Sequence, residues 1–120
     1  MTNQLLKTLA AKGCDIEKML NETFMGKEDF YVRMLRKMPA NTGIQRLKEA
    51  LSQNDPTGVF NASHELKGMY STLGLTPLCT LCRDIVETSR GGSLDGVAGK
   101  IAAMDAMHNE YAALVQEALQ

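Results

Sequence analysis

A histidine, a lysine and a glycine occur close together in the run His64-Glu65-Leu66-Lys67-Gly68. At about 100° per residue in a helix, these three positions fall on one face. A solvated imidazole is largely neutral at about pH 7 and can act as a nucleophile, and an ammonium group binds phosphate oxygens. A glycine leaves room for a bulky group beside them. The spacing therefore predicts covalent phosphate chemistry on an exposed histidine.

Sequence signals bound the helix that carries this run. Asp55 is placed to cap the first turn, and Pro56 suits the first helical position. Gly74, shortly before Pro77, marks the end of the helix. Between these signals the apolar residues cluster on one face: Val59, Ala62, Leu66, Met69, Tyr70 and Leu73. His64 falls almost opposite this apolar stripe, so its ring is expected to face solvent.

The face around His64 has the composition of a docking surface. Phe60, Ser71 and Leu75 lie within about 60° of His64 on helical spacing. Apolar side chains that flank a polar centre on a wet face indicate contact with a partner. Ser71 is placed to orient the imidazole or bind a phosphate oxygen, and a merely solvated serine fits the same position. A glycine inside a helix lowers its stability by roughly 1 kcal/mol relative to alanine. Because Gly68 falls on the exposed face, close packing does not explain why glycine stands there.

The run from His64 to Gly68, with Leu73-Gly74 beyond it, resembles the phosphoacceptor motif of histidine-containing phosphotransfer (HPt) domains. Those domains typically read His-x-Leu-Lys-Gly or Ser, followed by Leu-Gly. The resemblance extends from about Asp15 to the C-terminus, although only the motif helix is specific. Tyr70 and Thr72 depart from it, since they stand where small residues are frequent in the family.

This resemblance implies a phosphorelay intermediate, a phosphocarrier without autokinase activity. It implies that His64 accepts a phosphoryl group from a receiver-domain aspartate and passes it to another, with Lys67 and Gly68 completing the catalytic set. The implied partners are response-regulator receiver domains and a hybrid histidine kinase, which dock on Phe60, Ser71 and Leu75. No cofactor is expected, because the partner receiver would supply magnesium, and the sequence has no nucleotide-binding glycine loop.

Length and composition narrow the remaining possibilities. The 120 residues suffice for a single HPt-like domain, predicted over residues 1–120. A net charge of −1 with scattered basic residues argues against a nucleic-acid partner. The sequence has no apolar run long enough to cross a membrane and no signal-peptide pattern, so a cytoplasmic location is expected.

Amphipathic periodicity without strand-like alternation predicts an all-α protein. We expect an antiparallel four-helix bundle within residues 41–120, because short loops join long helices there. Its predicted helices are 42–53, 55–73, 77–90 and roughly 93–118. Short helices in residues 1–40 are expected to cap one end, with Phe30, Met34 and Leu35 on one side of the third. A monomer is expected, because the apolar faces of the helices are buried against one another within one bundle.

The other histidine and the cysteines are assigned structural roles. His108 lies on the apolar seam of the last helix, so partial burial and a hydrogen-bonded ring are predicted. Cys79 and Cys82 form a single C-x-x-C pair, which is half of what a structural zinc site needs, and no metal site is predicted.

Two other functions compete with phosphotransfer. The first is a non-catalytic helical interaction module, in which the surface between Phe60 and Leu75 binds a partner and His64 is incidental. The second is a metal- or redox-sensing bundle that uses Cys14, Cys79 and Cys82 with a histidine.

Overall fold

The computed structural model describes residues 2–118, with side chains from residue 4 onward, and all its regular elements are helical. The predicted all-α class is therefore confirmed, while Met1, Leu119 and Gln120 lie outside the described residues. The helices are α1 (Thr2–Ala11), α2 (Ile16–Glu22), α3 (Glu28–Leu35), α4 (Gly43–Ser52), α5 (Pro56–Thr72), α6 (Thr76–Arg90) and α7 (Val97–Ala118). A 3-10 turn, Met38–Ala40, lies between α3 and α4.

The four C-terminal helices pack against one another. α4 packs against α5, α5 against α6 and α6 against α7, and α7 also contacts α4. Of the N-terminal elements, α1 and the 3-10 turn pack against α7, and α2 packs against α1. The large side chains that are fully buried come from both groups: Leu9, Tyr31, Leu35, Met38, Leu47, Val59, Leu66, Tyr70, Leu75, Leu78, Ile85 and Met104.

The core-facing side of α3 differs from the prediction. Phe30, Met34 and Leu35 were predicted to share one side of the helix, but Phe30 is 48% exposed, whereas Leu35 and the neighbouring Tyr31 are completely buried. Tyr31 Oη donates a hydrogen bond of 2.5 Å to the backbone carbonyl of Leu73, just after α5. This buried contact ties α3 to the C-terminal end of α5, and it explains why the tyrosine rather than the phenylalanine turns inward.

The start of α4 approaches α5 closely. Thr42 occupies the N-cap position of α4, but its side chain makes no capping hydrogen bond, and Asn41 Oδ1 instead accepts one of 2.8 Å from the Gly43 amide. A Cβ at Gly43 would lie 2.5 Å from Leu66 Cδ2, which is inside van der Waals contact. Glycine at this position therefore allows the two helices to touch.

The ends of α5 follow the sequence signals. Asp55 Oδ1 accepts a hydrogen bond of 3.0 Å from the Gly58 amide, as expected of an N-cap. After the helix, Gly74 has a φ of +72°, and its carbonyl accepts from the Asp15 amide at 2.8 Å. A Cβ on Gly74 would lie 2.8 Å from the Asp15 carbonyl oxygen. Only glycine suits this turn, where the start of α2 rests on the connection between α5 and α6.

The last helix begins later than predicted. α7 starts at Val97 rather than at Ser93, because Gly96 has a φ of +73° that a helix cannot continue through. Within residues 2–118, no helix combines the length and the apolar composition needed to cross a bilayer.

Candidate functional site

The predicted division of α5 into two faces is confirmed. Val59 and Tyr70 are completely buried, and Leu66 is 2% exposed. His64 is exposed on the opposite side of the helix. The helix is thus fixed by its apolar face and presents an imidazole to solvent, where a second protein can reach it.

The surroundings of His64 are open on the side of Lys67 and Gly68. Lys67 is half-buried and Gly68 is exposed. A Cβ built on Gly68 would meet no atom of the described residues within 4 Å, so close packing does not require glycine there. The space beside Gly68 is therefore open, as predicted, and no contact among the described residues accounts for a helix-weakening residue at this position.

The docking residues divide into two groups. Phe60 is half-buried and Ser71 is exposed, so both are available on the His64 face. The assignment of Leu75 to this face is wrong, since its side chain is 0% exposed. The 100° spacing fails there because α5 ends at Thr72 and the left-handed Gly74 redirects the chain into the core.

Phe60 contacts both His64 and a cation. The Phe60 and His64 rings are stacked with centroids 5.7 Å apart and planes inclined by 28°. Arg90, in the last turn of α6, places its Cζ 5.6 Å from the Phe60 ring centroid. Sequence reasoning did not find Arg90. The sequence feature that could have indicated Arg90 is the short connection after α5. It makes α5 and α6 antiparallel, so the end of α6 lies beside the start of α5.

Glu65, next to His64 in sequence, is engaged with α4. Its carboxylate lies 3.3 Å from the Arg46 guanidinium, and both side chains are more than half exposed. An exposed ion pair of this kind contributes little stability, about 0–1 kcal/mol. It nevertheless gives Glu65 a partner on the neighbouring helix.

His108 has the structural role predicted for it. Its ring is 6% exposed, and Nδ1 lies 2.7 Å from Tyr70 Oη, so the hydrogen bond joins α7 to the buried face of α5. Burial lowers the pKa of His108, and the nearby Asp105 carboxylate opposes this with a smaller effect. A ring enclosed in this way cannot meet the active centre of another protein.

The three cysteines are free thiols, buried at Cys14 and Cys82 and half-buried at Cys79. Burial raises the pKa of all three, that of Cys82 to about 12, which disfavours the thiolate needed for metal binding or redox chemistry. Across the described part of the chain, no three His, Cys, Asp or Glu side chains are grouped so that they could hold a metal ion.

The fold and the His64 face together define a class of protein: a helical domain that exposes one histidine, flanked by lysine and glycine, on the outside of its core. The family model described as the Hpt domain matches residues 34–117. The structure is similar to the crystal structure of histidine-containing phosphotransfer protein B from Pseudomonas aeruginosa PAO1. The TM-score is 0.76 and the identity 23%, covering 87% of this chain and 91% of that one. No curated protein matches significantly.

The chain belongs to the Hpt domain family, because the family match spans well over half of it. It is accordingly a phosphotransfer intermediate in phosphorelay signalling, and proteins of this family work as phosphocarriers with receiver domains and histidine kinases. The match begins at residue 34, within α3, whereas the resemblance in the sequence was expected to begin near Asp15.

Proposed function

We propose that His64 accepts a phosphoryl group from the aspartyl phosphate of one receiver domain and transfers it to an aspartate of another. The observation that carries this proposal is the placement of the imidazole: it is exposed, it lies opposite the buried face of α5, and the space beside Gly68 is empty. Phosphoryl transfer requires in-line approach of the donor, and this arrangement leaves room for a receiver domain to make it.

In the transfer, an imidazole nitrogen of His64 attacks the phosphorus of the aspartyl phosphate. A nitrogen–phosphorus bond forms while the bond from phosphorus to the carboxylate oxygen breaks, and the aspartate leaves as a carboxylate. The second transfer reverses these events on another receiver. Lys67, one turn from His64, is proposed to hold the phosphate oxygens through its ammonium charge. Ser71, exposed two turns from His64, is placed to donate a hydrogen bond to the same oxygens.

The chain is proposed to act without a cofactor or autokinase activity of its own. The magnesium ion that neutralises charge in the transfer would come from the receiver domain. The partners proposed are response-regulator receivers and a hybrid histidine kinase, and they would cover Phe60, His64, Lys67, Gly68 and Ser71. Such encounters are transient, so a small interface is expected.

We further propose that residues 1–120 form one monomeric domain built on an antiparallel four-helix bundle. The contacts of α4 with α5, α5 with α6, α6 with α7 and α7 with α4 support the bundle. The packing of α1 on α7 supports the assignment of the N-terminal helices as a cap. A cytoplasmic location stays a prediction from the sequence.

The test is transfer of a radiolabelled phosphoryl group from a panel of phosphorylated receiver domains to the purified protein. His64→Gln is the test variant and His108→Gln the matched control, since these are the chain's two histidines. Label on the wild type and on His108→Gln, with none on His64→Gln, is the expected result. Label that persists on His64→Gln would overturn the assignment of the acceptor.

A further inference from the structure

Phe60 contacts the phosphoacceptor from one helical turn away. It precedes His64 by four residues on α5, a spacing that brings two side chains together on one face. The rings are stacked, with centroids 5.7 Å apart. A stacked neighbour covers a face of the imidazole and leaves its edge open, and both ring nitrogens lie on that edge. A ring stacked in this way would restrict the rotation of His64 without blocking its nitrogens.

Arg90 in turn contacts Phe60 from the neighbouring helix. Its guanidinium carbon lies 5.6 Å from the Phe60 ring centroid, within the range of a cation–π contact. Arg90 also pairs with Glu87 at 3.2 Å within α6, and both of these side chains are more than half exposed. The aromatic contact thus links the last turn of α6 to the ring that touches His64.

We propose that Phe60 is a positioning residue for His64 and that Arg90 holds Phe60 in place. An exposed imidazole that lacks such a neighbour distributes over several side-chain rotamers, and only some of them point a nitrogen along the line of transfer. The stacked ring reduces that freedom before a partner arrives. This inference rests on the proposed function of His64, and it gives Phe60 a role beyond contributing apolar area to a docking surface.

The first test is spectroscopic and needs no partner protein. Heteronuclear NMR of the imidazole groups follows His64 and His108 separately, with His64→Gln for assignment. Phe60→Leu is expected to shift the His64 resonances and leave those of His108 unchanged, because the buried histidine reports that the fold is intact. Phe60→Tyr keeps a ring and should preserve the His64 resonances. Phe30→Leu, which removes an exposed phenylalanine of α3, is the matched control.

The second test measures the reactivity of His64 with phosphoramidate, a small phosphoryl donor. The imidazole nitrogen forms a bond to phosphorus, the donor's nitrogen–phosphorus bond breaks, and ammonia leaves with the imidazole proton as ammonium. Loss of one stacked ring pair is expected to slow this reaction about two- to tenfold in Phe60→Leu. Arg90→Met should slow it about two- to fivefold, with partial rescue in Arg90→Lys.

The outcomes separate positioning from docking. If Phe60→Leu leaves the His64 resonances and the phosphoramidate rate unchanged, Phe60 does not position the ring and the inference is overturned. The same holds if the variant changes only the KM for a phosphorylated receiver, since that effect belongs to docking. If no receiver labels the wild type while the resonances and phosphoramidate rate respond as expected, the proposed function fails and the positioning of His64 stands.

Discussion

Replacing Gly68 by alanine should make the protein more stable and a poorer phosphoacceptor. Gly68 lies inside α5, where glycine costs about 1 kcal/mol relative to alanine. A Cβ at this position meets no atom within 4 Å, so no clash offsets the gain. For a chain of 120 residues, 1 kcal/mol raises the melting temperature by roughly 3–6 °C. The added methyl group would occupy space that a receiver needs in order to approach His64. If this overpacking raises the free energy of the transfer complex by about 1–3 kcal/mol, the transfer rate falls about five- to 150-fold.

The assay pairs thermal unfolding with the rate of transfer from a phosphorylated receiver. Gly99→Ala is the matched control, because Gly99 is also exposed and helical with nothing within 4 Å of its Cβ. It should be stabilising and leave transfer unchanged. Gly43→Ala should be destabilising, since its Cβ would lie 2.5 Å from Leu66 Cδ2. A stabilised Gly68→Ala protein with the transfer rate of the wild type would refute the reasoning that this clearance serves a partner.

Three further predictions concern stability. Because burial lowers the pKa of His108 from its ordinary value of 6.5, the unfolded chain binds this proton more readily than the folded one. The stability that neutral His108 contributes is therefore complete above pH 6.5 and is lost as the pH falls below it. Urea unfolding should show that the free energy of unfolding falls between about pH 7.5 and about pH 5.5, and that it falls less in His108→Gln than in the wild type. Asp55→Ala removes the side-chain cap of α5 and should lower the free energy of unfolding by about 1 kcal/mol, with Asp95→Ala, outside any helix, as the control. Gly74→Ala places a Cβ 2.8 Å from the Asp15 carbonyl oxygen, at a residue with a φ of +72°. It should lower the free energy of unfolding in urea by about 1–3 kcal/mol. An unchanged urea midpoint would contradict the close approach of Gly74 to Asp15.

The orientation of α5 was predictable because its signals agree with one another. Asp55 and Pro56 set the start, the apolar period sets the buried face, and His64 follows opposite it. Each of these is a local property of the chain, and in a regular helix the spacing of residues alone sets the face on which each side chain lies. The exposed imidazole, the central feature of the site, therefore followed from the sequence.

The errors occurred where local regularity ended or where another helix decided the outcome. Leu75 was assigned by extending a helical period past Gly74, beyond which the backbone no longer follows it. Phe30 was predicted to share one side of α3 with Leu35, but α3 is short, and the hydrogen bond from Tyr31 to the end of α5 turns Tyr31 inward instead. Arg90 reaches Phe60 only because α5 and α6 pack side by side, which no spacing within one helix reveals.

A pulse-chase experiment tests most directly whether His64 is a relay residue. The protein is labelled from one phosphorylated receiver, separated from it, and then incubated with a second, unphosphorylated receiver. We predict a label that is labile in acid, stable in alkali, mapped to His64 by mass spectrometry, and lost from this chain as it appears on the second receiver. If the His64→Gln variant takes and passes the label as well as the wild type does, the account is contradicted. If no receiver labels the protein and yet receivers bind it equally well with or without His64, the non-catalytic interaction module would take its place.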